Sequence, residues 1–360
     1  MLCLVLCLLG LGVSATAQEF FIIIPFDAPG AGTRANQGTQ GYGIIRGGAI
    51  VGTYLDADLV RHGLLRAPDG RITRIDDPDA GTSAGQGTTP FGMNPQGAIT
   101  GYYVASNNLW HGFLRDQHGT FTTFDYPGVK YTEGVSINPA GWIAGYYVDS
   151  KIVAHGFVRA PDGTLTEFDA TDAGTTPHSG QGTFVATFAG INPAGAITGF
   201  YVDSSNVAHG YVRAPDGTIT EFDVESPSYG TAGYSINPAG AITGVYTDAS
   251  EVNHGYLRAP DGTFTTFDAP QAGAGFLQGT NPESINPAGA IVGYYVDERN
   301  VDHGFLRSPH GSFTTFEVRH AGTSSGQGTI PFSNNPEGAI TGWYVDAQNV
   351  SHGFLGIPFP

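Results

Sequence analysis

The amino-acid sequence predicts an all-β fold: a seven-bladed β-propeller with four-stranded antiparallel blades, in which an N-terminal strand completes the last blade and closes the ring. Three observations predict this fold. The dipeptide His-Gly recurs seven times in one register, at intervals of 44 to 54 residues, with two further copies at 118 and 310 outside that register. The segments around it have the composition of short strands, and the strand that the last repeat lacks is found at the other end of the chain. The repeated histidines are His62, His111, His155, His209, His254, His303 and His352.

Each repeat is predicted to form four short strands. In the sequence Asn-Pro-Ala-Gly at 237–240, Asn, Pro and Gly stand at the first, second and fourth positions of a type I turn, which joins the first strand to the second. A polar loop such as 203–206 leads to the third strand, which begins with His-Gly. Pro-Asp-Gly, as at 260–262, then forms a hairpin into the fourth strand. Because no segment has an apolar period of 3.6 residues with caps, we expect essentially no helix.

The two ends of the chain predict how the ring closes. The last repeat stops after residues 352–356 and has no fourth strand. Residues 20–29 resemble a fourth strand and end in the same Phe-Asp-Ala-Pro as residues 267–270. A strand displaced in this way removes the open sheet edge. We therefore predict a single propeller domain over residues 18–360.

The N-terminal segment is predicted to be a secretory signal peptide over residues 1–17. It has an apolar run without charges, followed by Ala15-x-Ala17, a small-residue pattern typical of signal-peptidase sites. Both cysteines, Cys3 and Cys7, fall within it, so the mature chain would have neither a disulfide nor a cysteine nucleophile. No other segment approaches the 18 apolar residues of a membrane span. We expect a secreted or periplasmic bacterial protein.

The charge of the chain excludes one class of partner. The formal net charge is −17, and Lys130 and Lys151 are the lysines of the sequence. Nucleic-acid binding depends on a basic surface that neutralises phosphates. The sequence therefore predicts no nucleic-acid partner, and cations or neutral ligands suit this acidic protein better.

The repeat frame resembles that of a known family. The pattern Ile-Asn-x-x-Gly-x-Ile-x-Gly followed by His-Gly-Phe-Leu-Arg, seen over 236–244 and 303–307, is similar to the bacterial extracellular repeats named for a His-Ala-Phe tripeptide (HAF repeats). The resemblance covers nearly all of the mature chain and implies a secreted, β-propeller-like protein without an assigned reaction. Two departures stand out: Gly replaces Ala after every repeated His, and Arg stands where that family often has Trp.

Two repeated columns of side chains are predicted to be structural. Folding the third and fourth strands together brings each repeated His near the acidic residue that ends the fourth strand, and a catalytic dyad is needed once rather than in every blade. The acids are Asp76, Asp125, Asp169, Asp223, Asp268, Glu317 and Asp27. We interpret the arginine column in the same way; it comprises Arg66, Arg115, Arg159, Arg213, Arg258 and Arg307.

Candidate ligand-binding residues lie in the connections between blades, which are expected around the mouth of the channel. Five connections carry Gln-Gly-Thr, and amides around one opening would suit a hydroxyl-rich ligand such as a glycan; a turn-forming role for this triplet is the alternative. Trp110 is expected at the same rim, where it could stack on a sugar ring or pack against a neighbouring blade. The glutamines are Gln37, Gln86, Gln181, Gln278 and Gln327.

Candidates for catalysis and metal binding are few. His178 and His320 lie in long connections, outside the repeat register, and either could be a general base or simply exposed. Asp76, Asp77 and Asp79 form the densest carboxylate cluster and could bind Ca²⁺, although they lack the loop spacing of a known calcium motif. No other cofactor is predicted.

Two functions remain open at this point. The first is a secreted, non-catalytic binding module that recognises a glycan or an extracellular protein through the Gln-Gly-Thr connections. The alternative is a propeller enzyme, a polysaccharide lyase or hydrolase, that uses a loop histidine with nearby carboxylates. An enzyme needs one cluster of base, acid and charge stabiliser that is not repeated around the ring.

Overall fold

The structure, a computed structural model, describes residues 21–187, 189–224 and 229–359. The predicted signal peptide, residues 1–17, lies outside the described residues. The described part of the chain forms 28 β-strands and contains no helix. The strands fall into successive units of four, which we number 1 to 7 along the chain.

Within units 1 to 6 the strands follow chain order, whereas unit 7 takes its fourth strand from Phe21–Phe26; neighbouring strands within every unit are antiparallel. Unit 1 contains β2 Gly38–Ile44, β3 Ile50–Leu55, β4 Arg61–Arg66 and β5 Ile72–Arg74, and unit 2 contains β6 Gly87–Met93, β7 Ile99–Val104, β8 Trp110–Arg115 and β9 Phe121–Phe124. Unit 3 contains β10 Tyr131–Ile137, β11 Ile143–Val148, β12 Ala154–Arg159 and β13 Leu165–Phe168, and unit 4 contains β14 Gly182–Val185, β15 Ile197–Val202, β16 Ala208–Arg213 and β17 Ile219–Phe222. Unit 5 contains β18 Gly230–Ile236, β19 Ile242–Thr247, β20 Asn253–Arg258 and β21 Phe264–Phe267, and unit 6 contains β22 Gly279–Ile285, β23 Ile291–Val296, β24 Asp302–Arg307 and β25 Phe313–Phe316. Unit 7 contains β26 Gly328–Asn334, β27 Ile340–Val345, β28 Ser351–Pro358 and β1 Phe21–Phe26.

The predicted fold class needs a correction. The strands do not form separate, purely antiparallel blades, because the third strand of each unit also pairs in parallel with the first strand of the next, as Arg61 does with Gly87. These pairs join all 28 strands into one continuous sheet. β1 pairs antiparallel with β28, Phe21 opposite Pro358 and Phe26 opposite Gly353. The structure supports the coarser class of an all-β, closed, propeller-like ring.

Asparagines of the Asn-Pro-x-Gly turns link successive units at one end of the ring. Asn192 Oδ1 accepts a hydrogen bond from the Ala196 N–H within its own turn, and its Nδ2 donates to the Asn237 carbonyl of the next unit at 3.3 Å. Asn237 donates to Asn286 in the same way, and Asn335 donates to Ile45 in unit 1. Each asparagine therefore closes a turn and fastens it to its neighbour, which gives this sequence signal a role beyond the turn itself.

The core lies between the faces of adjacent units. The phenylalanine that ends a fourth strand packs on the next unit, as Phe222 does on Ile242 and Tyr256, both fully buried. β-branched and aromatic residues occupy the second strands because both faces of each unit are covered. The described residues contain no helical segment with the length and apolar character of a membrane span.

Candidate functional site

The inter-unit connections and the loops between second and third strands lie on one face of the ring. The Gln86 side chain donates hydrogen bonds to the Ser106 carbonyl at 3.3 Å and to Asn108 Oδ1 at 2.9 Å, both in the loop between β7 and β8. The Gly85 N–H of the same connection donates to the Leu59 carbonyl, in the corresponding loop of unit 1. We call this side the loop face, and the side that carries the Asn-Pro-x-Gly and Pro-Asp-Gly turns the turn face.

The five glutamines of the Gln-Gly-Thr triplets hold the loop face together. They are buried, with 1 to 8% of their surface exposed. In each, Oε1 accepts a backbone N–H of its own connection and Nε2 donates to the loop after the second strand of its unit. Their role as ligand-binding residues stays a prediction, while the geometry favours a framework role. The Gly and Thr that follow belong to the first strands rather than to loops.

The threonine of each triplet ties one unit to the next. The hydroxyl oxygen of Thr88 accepts the Asp77 N–H at 2.9 Å, and Thr280 accepts the Ala269 N–H at 2.9 Å. Both threonines are almost fully buried, at 0% exposed. Because these bonds satisfy backbone groups where the fourth strand ends, they fix the start of each connection.

Six of the seven repeated histidines lie between two acidic residues, and all seven pack on a tyrosine. His352 Nδ1 lies 3.0 Å from Asp27 and its Nε2 lies 3.3 Å from Asp346, while its ring stacks on Tyr344 with centroids 4.9 Å apart. The same arrangement surrounds His62, with Asp76 and Asp56. In unit 2 Ala105 stands in place of the second acid. The repetition is consistent with the structural role that we predicted for this column.

Five of the six arginines in the arginine column contact the phenylalanine that ends the preceding unit, whereas Arg115 contacts Phe121 of its own unit. The Arg307 guanidinium lies 4.6 Å from the ring centroid of Phe267, and that of Arg258 lies 4.9 Å from Phe222. Cation–π contacts of this kind contribute about 0.5–2 kcal/mol each, depending on desolvation. The contacts between units therefore have a polar component in addition to the apolar core.

The predicted catalytic histidines do not meet. His178 lies in the connection between units 3 and 4 and His320 in that between units 6 and 7, and both are exposed. The backbone of each has a positive φ, 61° and 77°. Within the described ranges neither side chain forms a hydrogen bond or an ion pair. Their catalytic role stays a prediction.

The three predicted calcium ligands are differently engaged. Asp76 accepts hydrogen bonds from Gly63 N–H and lies beside His62 and Arg74. Asp77 is buried and its Oδ1 accepts the Asp79 N–H, whereas Asp79 is exposed. A group close enough to hold a metal ion occurs elsewhere in the described residues: His155, Glu167 and Asp169 have ligand atoms within 4.8 Å of one another. Calcium binding stays a prediction.

One column on the loop face breaks the repeat. The residue before the repeated histidine starts the third strand, and its large and charged members are Arg61, Trp110 and Asp302. The whole column is Arg61, Trp110, Ala154, Ala208, Asn253, Asp302 and Ser351. The irregularity of this column is visible when the repeats are aligned, and Trp110 is its one member among the predicted site residues.

In units 1 to 3, members of this column contact side chains from first and second strands. Arg61 Nη1 donates a hydrogen bond to the Tyr102 hydroxyl at 2.9 Å. Trp110 stacks on Tyr102 with ring centroids 4.5 Å apart, and Tyr131, 38% exposed, meets Trp110 edge-on at 5.6 Å. Next to them lies Glu133, which is 8% exposed. We call Arg61, Tyr102, Trp110, Tyr131, Glu133 and Tyr146 the rim cluster.

Glu133 is the titratable centre of the rim cluster. Burial raises the pKa of its carboxyl to about 7, while the hydrogen bond from Tyr146 and the charge of Arg61 act in the opposite direction. A carboxyl that titrates near neutral pH, beside a phenol and a guanidinium, can accept or donate a proton. Sequence analysis missed Glu133, since only the fold brings Arg61 of unit 1 close to unit 3.

The turn face carries a cleft of a different character. Trp142, 41% exposed, stands where other units have Ala, and it lines a cleft of about 380 Å³ with Pro193, Arg213 and Pro215. The cleft lies between units 3 and 4. Because it lacks a carboxyl among its described lining residues, it offers mainly apolar contact.

Ionisable groups inside the fold predict that stability falls as the pH rises from about 5 to about 9. Burial raises the pKa of Glu133 to about 7, of Glu283 to about 8 and of Asp302 to about 7. A group whose pKa is higher in the folded state than in the unfolded state stabilises the fold at low pH. This stabilisation is lost as the pH rises from the unfolded-state pKa to the folded-state pKa. Hydrogen bonds to Asp169 and Glu317 raise the pKa values of His155 and His303. The stability that these two histidines contribute is therefore also lost as the pH rises above 6.5, the usual pKa of histidine.

We expect this effect to amount to a few kcal/mol of the free energy of unfolding in sum, since each pKa unit corresponds to about 1.4 kcal/mol. The measurement is the midpoint of urea unfolding between pH 5 and pH 9. Replacing both Glu133 and Glu283 by Gln should flatten the profile. A midpoint that increases from pH 5 to pH 9 would contradict the assignment.

Comparisons with known proteins support the fold class. No family model and no curated protein matches the chain, so the resemblance to HAF repeats stays a prediction. A structure of a streptogramin B lyase matches with 15% identity and a TM-score of 0.59, over 95% of this chain and 99% of that one. A prolyl endopeptidase structure matches with 8% identity and a TM-score of 0.58, over 96% of this chain and 52% of that one.

A third match is a lectin. The fungal lectin from Aleuria aurantia, described as a six-bladed β-propeller, matches with 14% identity and a TM-score of 0.44, over 86% of this chain and 98% of that one. At such identities the similarities concern the fold alone. The chain is a propeller-like module.

Proposed function

We propose that this protein is a secreted or periplasmic bacterial binding module that takes a saccharide unit at the rim cluster. The observation that carries the proposal is the stack of Trp110 on Tyr102 beside the exposed Tyr131, at a position where most other units have small or short side chains. Aromatic faces suit the apolar face of a sugar ring. The Gln-Gly-Thr triplets then serve as the frame of the loop face.

Polar groups of the rim cluster complete the site. Arg61 supplies guanidinium donors, Tyr102 and Tyr146 supply hydroxyls, and Glu133 supplies an acceptor for ligand hydroxyls. A few polar groups that fix the orientation of a ring stacked on aromatic side chains are typical of small-ligand sites. The net charge of −17 disfavours polyanionic glycans, so we expect a neutral or cationic saccharide.

The test is a glycan array followed by titration calorimetry with the best ligand. We expect Trp110→Ala and Tyr131→Ala to weaken binding about tenfold or more, since loss of stacking on an aromatic ring costs more than 1 kcal/mol at a site of this type. Trp142→Ala is the matched control, because it removes a partly exposed tryptophan from the turn face. The proposal would be overturned if the array retained no glycan, or if binding were lost in the Trp142 variant and not in the Trp110 and Tyr131 variants. If the same residues bound a protein instead, the ligand would be a protein partner and not a saccharide.

A second candidate function, a polysaccharide lyase or hydrolase, rests on Glu133. Its pKa of about 7 and its contacts with Tyr146 and Arg61 supply an acid or base and a charge stabiliser in one place. His178 and His320 do not enter this version, because they are exposed and lie in separate connections. Release of reducing ends or of unsaturated products from a panel of polysaccharides, abolished in Glu133→Gln, would favour the enzyme. Binding without turnover would favour the module.

A further inference from the structure

The channel of the ring contains a second candidate site, deeper than the rim cluster. A cavity of about 230 Å³ is lined by Val185, Ala186, Thr187 and Phe200 of unit 4, Tyr234 of unit 5, Glu283 of unit 6 and Phe332 of unit 7. Because residues of four successive units meet there, the cavity is part of the central lumen. In its first strand Glu283 stands two positions beyond the place that Glu133 occupies in unit 3, farther from the loop face.

Glu283 has no partner in this cavity. Within residues 21–187, 189–224 and 229–359 its carboxyl accepts no hydrogen bond and forms no ion pair. The Glu283 side chain is partly exposed where it faces the lumen, and protein atoms surround the rest of it. Desolvation alone raises its pKa to about 8. A carboxyl held without a counter-charge costs free energy whenever it ionises, so a cationic ligand would relieve the cost.

The walls of the cavity are aromatic. Phe200 stacks on Phe184 with centroids 5.0 Å apart, and Phe332 packs on Trp343 at 5.0 Å, so both rings are held in place. Tyr234 adds a third ring. Aromatic faces attract cations through the ring quadrupole, and rings combined with a carboxyl are well suited to an ammonium group.

We propose that this cavity binds an organic cation, a quaternary or alkylated ammonium group, with the Glu283 carboxylate as counter-charge and Phe200, Tyr234 and Phe332 as the aromatic walls. A metal ion suits the cavity less well, because Ca²⁺ and Mg²⁺ require six or more oxygen ligands and only one carboxyl faces the cavity among the described residues. The acidic net charge favours the approach of a cation. This site is separate from the saccharide site of the proposed function.

Binding should depend on the ionisation of Glu283. The titratable groups that face it from neighbouring strands are Tyr234 on β18 and Tyr294 on β23, and the pKa of each is raised above its usual value, chiefly by burial. Both phenols therefore stay neutral below pH 9. Of these three groups, Glu283 is the one whose charge changes between pH 6 and pH 9, and a cation binds better to its ionised form.

The experiment is calorimetric titration of the full-length folded protein with choline chloride, which carries a quaternary ammonium group. The uncharged isostere 3,3-dimethyl-1-butanol is the ligand control. We expect choline to bind about tenfold or more tightly at pH 9 than at pH 6, because protonation of one essential group reduces affinity by up to tenfold for each pH unit below its pKa. The isostere should bind at least tenfold more weakly than choline at pH 9.

Two variants test the assignment to Glu283. Glu283→Gln should weaken choline binding at least tenfold, whereas Glu298→Gln, an equal charge change at an exposed site, should leave it within twofold. Glu283→Gln should also unfold at a higher temperature than wild type at pH 9, which shows that the variant is folded. Trp110→Ala should leave choline binding intact, because Trp110 does not line the cavity. A failure of the saccharide proposal can therefore be distinguished from a failure of this one. Absence of choline binding, equal binding of the isostere, or unchanged affinity in Glu283→Gln would overturn the proposal.

Discussion

Deletion of residues 1–27 is expected to destabilise the protein by on the order of 5 kcal/mol or more, because each buried large apolar side chain contributes about 1.5–3 kcal/mol. The deletion removes β1, and with it the pairing of Phe21 to Phe26 with β28. Phe21 is 3% exposed and its ring centroid lies 5.5 Å from that of Phe316. His352 would also lose Asp27.

The matched control is deletion of residues 1–20, which leaves β1 in place. Thermal unfolding followed by circular dichroism should show wild-type behaviour for this shorter deletion and a large decrease in Tm for the longer one. A synthetic peptide of residues 21–28 added to the longer deletion should restore part of the Tm. Equal Tm values for the two deletions would show that β1 contributes little to the closed ring.

Replacement of Gly210 by Ala is expected to lower the free energy of unfolding by about 1–3 kcal/mol, the usual cost of overpacking a core. A Cβ atom at Gly210 would lie 2.2 Å from Cε2 of Phe222. Phe222 is opposite Gly210 in the paired strands, and it cannot move away easily because Arg258 and Tyr256 cover its ring. The ring lies over the glycine and fills the space of the missing side chain.

A double-mutant cycle checks this explanation. Phe222→Leu alone should destabilise the protein by leaving a cavity, while in the Gly210→Ala background it should cost much less, because the smaller side chain makes room for the methyl group. Unfolding midpoints in urea for the four proteins give the coupling energy. Strictly additive effects would contradict the steric explanation. In five of the other six units the glycine after the repeated His also lies against the phenylalanine opposite it, whereas Gly63 lies against Ile75.

The candidate site was predictable only in part. Trp110 and the loop face followed from the repeat, because turn signals identify which connections share an end of the ring. The glutamines of the Gln-Gly-Thr triplets are also on that face, yet they are buried and bonded to their own units. A sequence lists amides as available donors and acceptors, whereas the fold determines whether backbone groups have already satisfied them.

The sequence by itself determined the period, the four strands of each unit, the turns, and the pairing partners of the repeated histidines. Nearly all of these depend on contacts within about fifty residues, which local residue patterns encode; the pair of His352 with Asp27 joins the two ends of the chain and followed from the displaced strand. The tertiary structure decided the rest. It joined the units into one continuous sheet, brought Arg61 and Glu133 to one rim, and enclosed Glu283 in the lumen. Burial and charge proximity between distant segments set those pKa values, and such environments exist only after the ring has closed.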